Sequence, residues 1–162
     1  MKLLITEKQF YNIGKLLNES YLNGVDDNEI VAATLVGEAG GEGTKGMEAV
    51  YGVLSNRAKN KGTSTAGESL RPRQFSMWDS VTRNVSSKED FNKKSILSII
   101  KSYKSHPKWN EAVTISKSSI KDPTKGATHY YAFKGPYKIN PPFFTNNWTE
   151  TVEIGNHKFG IV

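Results

Sequence analysis

The chain has 162 residues, enough for one domain with a real core, and 36% of them are hydrophobic. It carries no cysteine, which excludes a disulfide framework, a thiol nucleophile and any Cys-ligated metal. The formal net charge is +6, with basic residues concentrated between Lys88 and Lys125; such a surface favours anionic polymers, and a plain solvated lysine-rich surface explains it equally well.

In chain order, MKLLITEKQFYNIG offers only Leu3 to Ile5 as an apolar run, too short for a signal-peptide core. No later run approaches the roughly 18 residues of a membrane span. Thr6 with Gln9 has the form of a capping box and predicts a helix to about Asn18, with Phe10, Ile13, Leu16 and Leu17 on its apolar face. Asn23-Gly24 marks a turn. Asp26, Asp27 or Asn28 can cap a second helix running to about Ala39. Val31, Thr34, Leu35 and Glu38 follow the spacing of one helix face. Glu38 stands where the next apolar residue belongs. A carboxylate there loses water, its pKa rises, and it suits a general acid. Gly40, Gly41 and Gly43 loosen the helix end and let a ligand approach the backbone. The same spacing also describes a Glu at a frayed helix end paired with a Lys or Arg.

A third helix is expected over about Lys45 to Asn60, with Met47, Val50, Tyr51 and Leu54 on one face. Residues 61–74 read as a loop. Phe75 and Trp78 are core anchors or sugar-stacking rings of a cleft wall, with Gln74 and Ser76 as hydrogen-bond partners. Ser86 or Ser87 opens a helix to about Ser105, broken by His106-Pro107. Trp109 to Ser118 makes another. GATHYYAF is a short extended segment, and Pro-containing stretches follow it. Trp148 to Ile154 and His157 to Ile161 flank Gly155-Asn156, a two-residue hairpin signal. The fold class is therefore α+β, mainly helical with a small antiparallel sheet near the C-terminus.

GEAGGEG (37–43), followed by AVYGVLSNRAKN (49–60), resembles the core motif of the SleB/CwlJ family of cell-wall hydrolases, known from spore germination and from bacteriophages. Members carry a G-E-A-x-G-E segment and then a helix ending in N-R. GATHYYA (126–132) and IGNHKFG (154–160) agree, in the family's order, so the resemblance covers roughly residues 28–160. It implies a lysozyme-like arrangement, with 1–162 as a single catalytic domain, an N-terminal helix within 1–24, and a family-like core over 28–160. It also implies the β-1,4 glycan of peptidoglycan as substrate, and it matches the family's catalytic Glu to Glu38. An enzyme of this kind without an export signal reaches the wall by lysis, in a particle or with another protein. No cofactor is expected, nucleic acid is not an expected partner, and a monomer is.

Cleaving that glycan requires protonation of a glycosidic oxygen. A hydrolase adds a second carboxylate. Glu42 would share a face with Glu38 if the helix continued, but the glycines argue against continuation. A lytic transglycosylase needs one Glu only, and the resemblance favours it. Lysozyme-type muramidase hydrolysis is close behind. An N-acetylmuramoyl-L-alanine amidase and a non-enzymatic module binding an anionic polymer are the rival classes. His129 and His157 lack metal-ligand spacing, so no metal site is expected. The expected substrate contacts are Glu42, Gln74, Phe75, Ser76, His129, Tyr131 and Trp148. Tyr130 and Tyr131 alternate faces, and Tyr131 is assigned to the cleft. Trp148 serves as a stacking platform or packs in the core. His157 is expected to be structural, Arg57 to contact its helix's C-terminal dipole, and Asn56 to support the catalytic helix.

Overall fold

Asp26 opens the helix around which the chain is built. In the computed structural model, which describes residues 20–136 and 138–162, its side chain accepts a hydrogen bond from the Asn28 amide at 2.8 Å. Asp27 and Glu29 place negative charge in the first turn, where the dipole favours it. This helix, α1, spans Asp27–Ala39. Every residue from Ile30 to Val36 is buried, so α1 is enclosed all round rather than along the single face expected from spacing. A helix apolar on all sides belongs at the centre of a core. The helix expected over Thr6–Asn18 lies outside the described residues.

After α1 a short 3-10 turn, Gly40–Glu42, leads directly into α2, Gly43–Lys61. The stretch GGEGTKG (40–46) is therefore largely helical, although its glycines were expected to loosen the helix end. Gly43, at φ +71°, redirects the chain between the two helices. Gly62, at φ +63°, ends α2 in the left-handed conformation and donates to the carbonyls of Ala58 and Lys59. Met47, Val50 and Leu54 of α2 face α1, whereas Ala49 and Val53 face the sheet with Ala127 and Phe159.

Residues 61–74 hold a helix that the sequence reading missed, α3 over Thr65–Ser69. Ser64 caps it through the Gly67 amide at 3.0 Å. Glu68 is buried and pairs with Lys61 at 3.3 Å and Arg71 at 3.5 Å. Phe75 and Trp78 then enter the core, on either side of the start of a 3-10 turn that leads into α4, Asp79–Thr82. The Trp78 indole donates to Thr34 Oγ1 of α1 at 2.9 Å.

The single helix expected from Ser86 or Ser87 to Ser105 is two pieces. The Asp90 carboxylate accepts from the Ser86 and Ser87 amides, which closes a 3-10 turn over Lys88–Asp90. Phe91 is extended and buried, and Asn92 caps α5, Lys93–Tyr103. Next is α6, Trp109–Lys117. Helices α2, α3, α5 and α6 all pack on α1.

Three strands complete the fold: β1 His129–Ala132, β2 Thr149–Ile154 and β3 His157–Ile161. Their order is β1-β3-β2 and both pairings are antiparallel, so the last strand is central. The hairpin turn at Gly155-Asn156 is as expected. Phe159 packs inward against α2, and its partner across β1 is Tyr130. Strand alternation therefore puts Tyr130 on the inner face and His129 and Tyr131 on the outer one.

Candidate active site

Helix α1 carries Glu38 out of the core at its last turn. Gly37 before it is exposed, and Glu38 itself is half-buried. The Tyr130 hydroxyl donates to Glu38 Oε2 at 3.0 Å. Burial raises the Glu38 carboxyl above its ordinary pKa; the Tyr130 hydrogen bond, His157 and Arg57 oppose the rise without cancelling it. The Tyr130 phenol is pushed well above its usual range, first by burial and then by the Glu38 charge and their shared hydrogen bond. Tyr130 thus stays protonated and remains a donor.

Three neighbours hold this pair. Tyr130 stacks on Phe159, with ring centroids 5.5 Å apart, and meets His157 edge-on at 5.4 Å. His157 Nδ1 lies 2.9 Å and 3.0 Å from the two oxygens of Glu42. A carboxylate only accepts, so Nδ1 is the protonated nitrogen. Arg57 reaches in from α2 and is 8% exposed. Its Nε donates to the Thr128 carbonyl and its Nη1 to Gln74 Oε1 at 3.0 Å. That geometry replaces the expected helix-dipole contact. Asn56 donates to Asp122 Oδ2 at 2.9 Å and to the Ala127 carbonyl at 3.0 Å. It pins the loop that delivers β1, so it acts on Tyr130's strand and not on α1.

On the other side of Glu38, Met77 and Tyr103 crowd Gly37: a Cβ there would lie 2.5 Å from Met77 Sδ and 3.2 Å from Tyr103 Oη. A Cβ on Gly40 would lie 3.1 Å from His106 Cε1. Met77 and His106 had no expected role, because nothing in their local pattern links them to α1.

The expected site residues separate into groups. Glu38 and Glu42 meet at one cluster, joined through Tyr130 and His157. Glu42 reaches it from the 3-10 turn and not from a continued helix. Gln74 is exposed and held by Arg57, and Ser76 is exposed beside it. Phe75 is 3% exposed, so it anchors the core and has no free face for a sugar. Tyr131 lies on the outer face, 5.5 Å from Trp148, while Tyr130 makes the contact to Glu38. The expected alternation of the two tyrosines holds, with Tyr130 turned toward Glu38. His129 is also on the outer face, 5.0 Å from Phe144, with Thr128 Oγ1 3.0 Å from its Nδ1. Its pKa is lowered by burial and then by Arg57. Trp148 packs over Gly160 in the same outer cluster, where Phe143 is 87% exposed. His157, expected to be structural, stands in the site. The signal for His157 was available: burying Phe159 fixes the inward face of β3, and His157, two residues earlier, shares it, whereas Tyr130 follows only from the long-range pairing of β1 with β3.

A cavity of about 420 Å³ opens near the start of α1, among Tyr21, Lys61, Glu68, Arg71 and Lys88. Its lining shares no residue with the Glu38 cluster. Among the described residues, no group of three or more His, Asp or Glu is placed to hold a metal ion.

A mainly helical body packed around one buried helix, with a glutamate at that helix's end facing a small antiparallel sheet, is a lysozyme-like fold. The family model described as Cell Wall Hydrolase matches residues 41–160, starting just after Glu38, and the chain belongs to that family, of the SleB/CwlJ type. Two solved structures are similar. The catalytic domain of the Bacillus cereus SleB protein is 23% identical, with a TM-score of 0.49, covering 88% of this chain and 98% of that one. The catalytic domain of the germination-specific lytic transglycosylase SleB from Bacillus anthracis is 23% identical, with a TM-score of 0.50, covering 85% and 98%. Comparison with curated proteins finds no match.

Proposed function

We propose that this single catalytic domain cleaves peptidoglycan glycan strands between N-acetylmuramic acid and N-acetylglucosamine as a lytic transglycosylase, with Glu38 as its one acid–base group. The observation that carries the reading is the environment of Glu38: a carboxyl at the end of a buried helix, with its pKa raised by burial and one oxygen fixed by Tyr130. Below that raised pKa the carboxyl holds a proton to give.

Glu38 passes its proton to the glycosidic oxygen as the bond from that oxygen to C1 of the muramoyl sugar breaks. Positive charge grows at C1. The muramoyl 6-hydroxyl attacks C1, closes a 1,6-anhydro ring, and returns its proton to the Glu38 carboxylate. One C–O bond is exchanged for another and no water is consumed. Both Glu42 oxygens face His157, which leaves Glu42 poorly placed as a nucleophile. Membership of the cell wall hydrolase family supports the substrate class. Lysozyme-type hydrolysis is the second reading, favoured by the presence of Glu42 in the same cluster.

Mass spectrometry of digested, purified wall separates the two. Muramoyl ends in the 1,6-anhydro form are expected. Reducing ends without anhydro ends would replace the transglycosylase with a muramidase.

A further inference from the structure

Glu42 and His157 come from the turn after α1 and the start of β3, yet they meet with side chains only 19% and 15% exposed. The backbone is shaped around Glu42. A Cβ on Gly46 would lie 2.7 Å from Glu42 Cβ, and one on Gly155 2.9 Å from Glu42 Oε2. The imidazole, held by both carboxylate oxygens, presses edge-on against Tyr130 at 76° between ring planes. Phe159 stacks on the same ring. With the ring held on two sides, the hydroxyl points at Glu38 Oε2. The carbonyl oxygen of a carboxylic acid is its better acceptor, so a bond to Oε2 favours the proton on Oε1.

Resting on Glu38 as the acid, we propose that Glu42 and His157 are a positioning pair for the reaction. Glu42 fixes the imidazole, the imidazole fixes Tyr130, and Tyr130 fixes Oε1 of Glu38 as the oxygen that delivers the proton. Neither residue touches the glycan in this role. The charged and titratable groups facing the cluster are Glu38 from α1, Glu42 from the turn, Arg57 from α2 and Tyr130 from β1.

The test compares full-length His157→Ala, His157→Asn and His157→Gln on soluble glycan fragments, with Glu38→Gln in parallel. An Asn amide nitrogen sits where Nδ1 does and can still donate to Glu42; a Gln places it where Nε2 does. The expected result for His157→Ala is a fall in kcat of about 10- to 100-fold, as for a reacting group slightly misplaced, with KM little changed. Its alkaline limb moves to higher pH, because the tyrosine bond and His157 both lower the Glu38 pKa. His157→Asn, which keeps the bond to Glu42 but not the ring against Tyr130, recovers part of the activity lost in His157→Ala, and His157→Gln recovers less. Wild-type kcat in His157→Ala, a loss in KM alone, or equal activity of the Asn and Gln variants would overturn the pair. If His157→Ala does not fold, the Asn–Gln comparison decides. Activity in Glu38→Gln would remove the underlying acid instead, so the two failures are distinguishable.

Discussion

Tyr130 couples the sheet to the Glu38 carboxyl, the proposed acid, through one hydroxyl. Its bond to Glu38 Oε2 favours the ionised carboxylate and so holds the Glu38 pKa lower than burial alone would. The acid form is present below that pKa and is lost as pH rises through it. Tyr130→Phe removes the restraint, so the alkaline decline of activity moves to higher pH. The lost hydrogen bond costs about 0.5–1.5 kcal/mol of stability. A pH–rate profile and a denaturation curve check both effects, and an unmoved alkaline limb would show that the hydroxyl does not act on Glu38. The half-buried place of Glu38 was legible because a carboxylate stands where the next apolar residue of the helix face belongs; its role as the acid was implied only by the family resemblance. The place of Tyr130 was not legible, because two adjacent tyrosines look alike until strand pairing assigns them opposite faces.

At the scale of elements, the site depends on how α2 docks against the loop before β1. Gly52 of α2 sits against Asp122, and a Cβ there would run into Asp122 Oδ1 and lie 3.4 Å from Thr124 Cγ2. That carboxylate is not free to swing. Oδ1 accepts from the Thr124 amide at 2.8 Å and hydroxyl at 2.6 Å; Oδ2 accepts from Asn56 at 2.9 Å and the Gly126 amide at 2.7 Å. Gly52→Ala is expected to cost about 1–3 kcal/mol in denaturant unfolding, as overpacking does. A neutral result would mean that the loop yields and does not set the position of β1. The long amphipathic helices were legible because their caps and apolar spacing are local. Helix α3 was missed because Gly, Ser and Thr usually signal a loop, whereas here Ser64 caps the helix and Ala66, Glu68 and Ser69 are buried by segments distant in the chain. The break at Phe91 was missed because the side-chain bonds of Asp90 and Asn92 end one turn and begin the next helix without interrupting the apolar pattern.

Among the described residues, the helical body buries α1 and the sheet closes over its exit, so Glu38 stands where two packed layers meet. The sequence motifs located that junction. They did not order the strands, since nothing local says that the last strand lies in the middle. Nor did they show that Phe75 serves the core while Met77 and Tyr103 border Gly37, because those contacts join segments about 40 to 66 residues apart in the chain. The surface charge of +6 suits an anionic polymer but does not select one. Replacing Glu38 by Gln keeps the shape and removes the transferable proton. Turbidity loss of purified peptidoglycan, measured with Glu38→Gln shown to be folded by its melting curve, is expected to slow by about 100- to 10,000-fold. Lysis at the wild-type rate by that folded variant would place the acid elsewhere and contradict this account of the site.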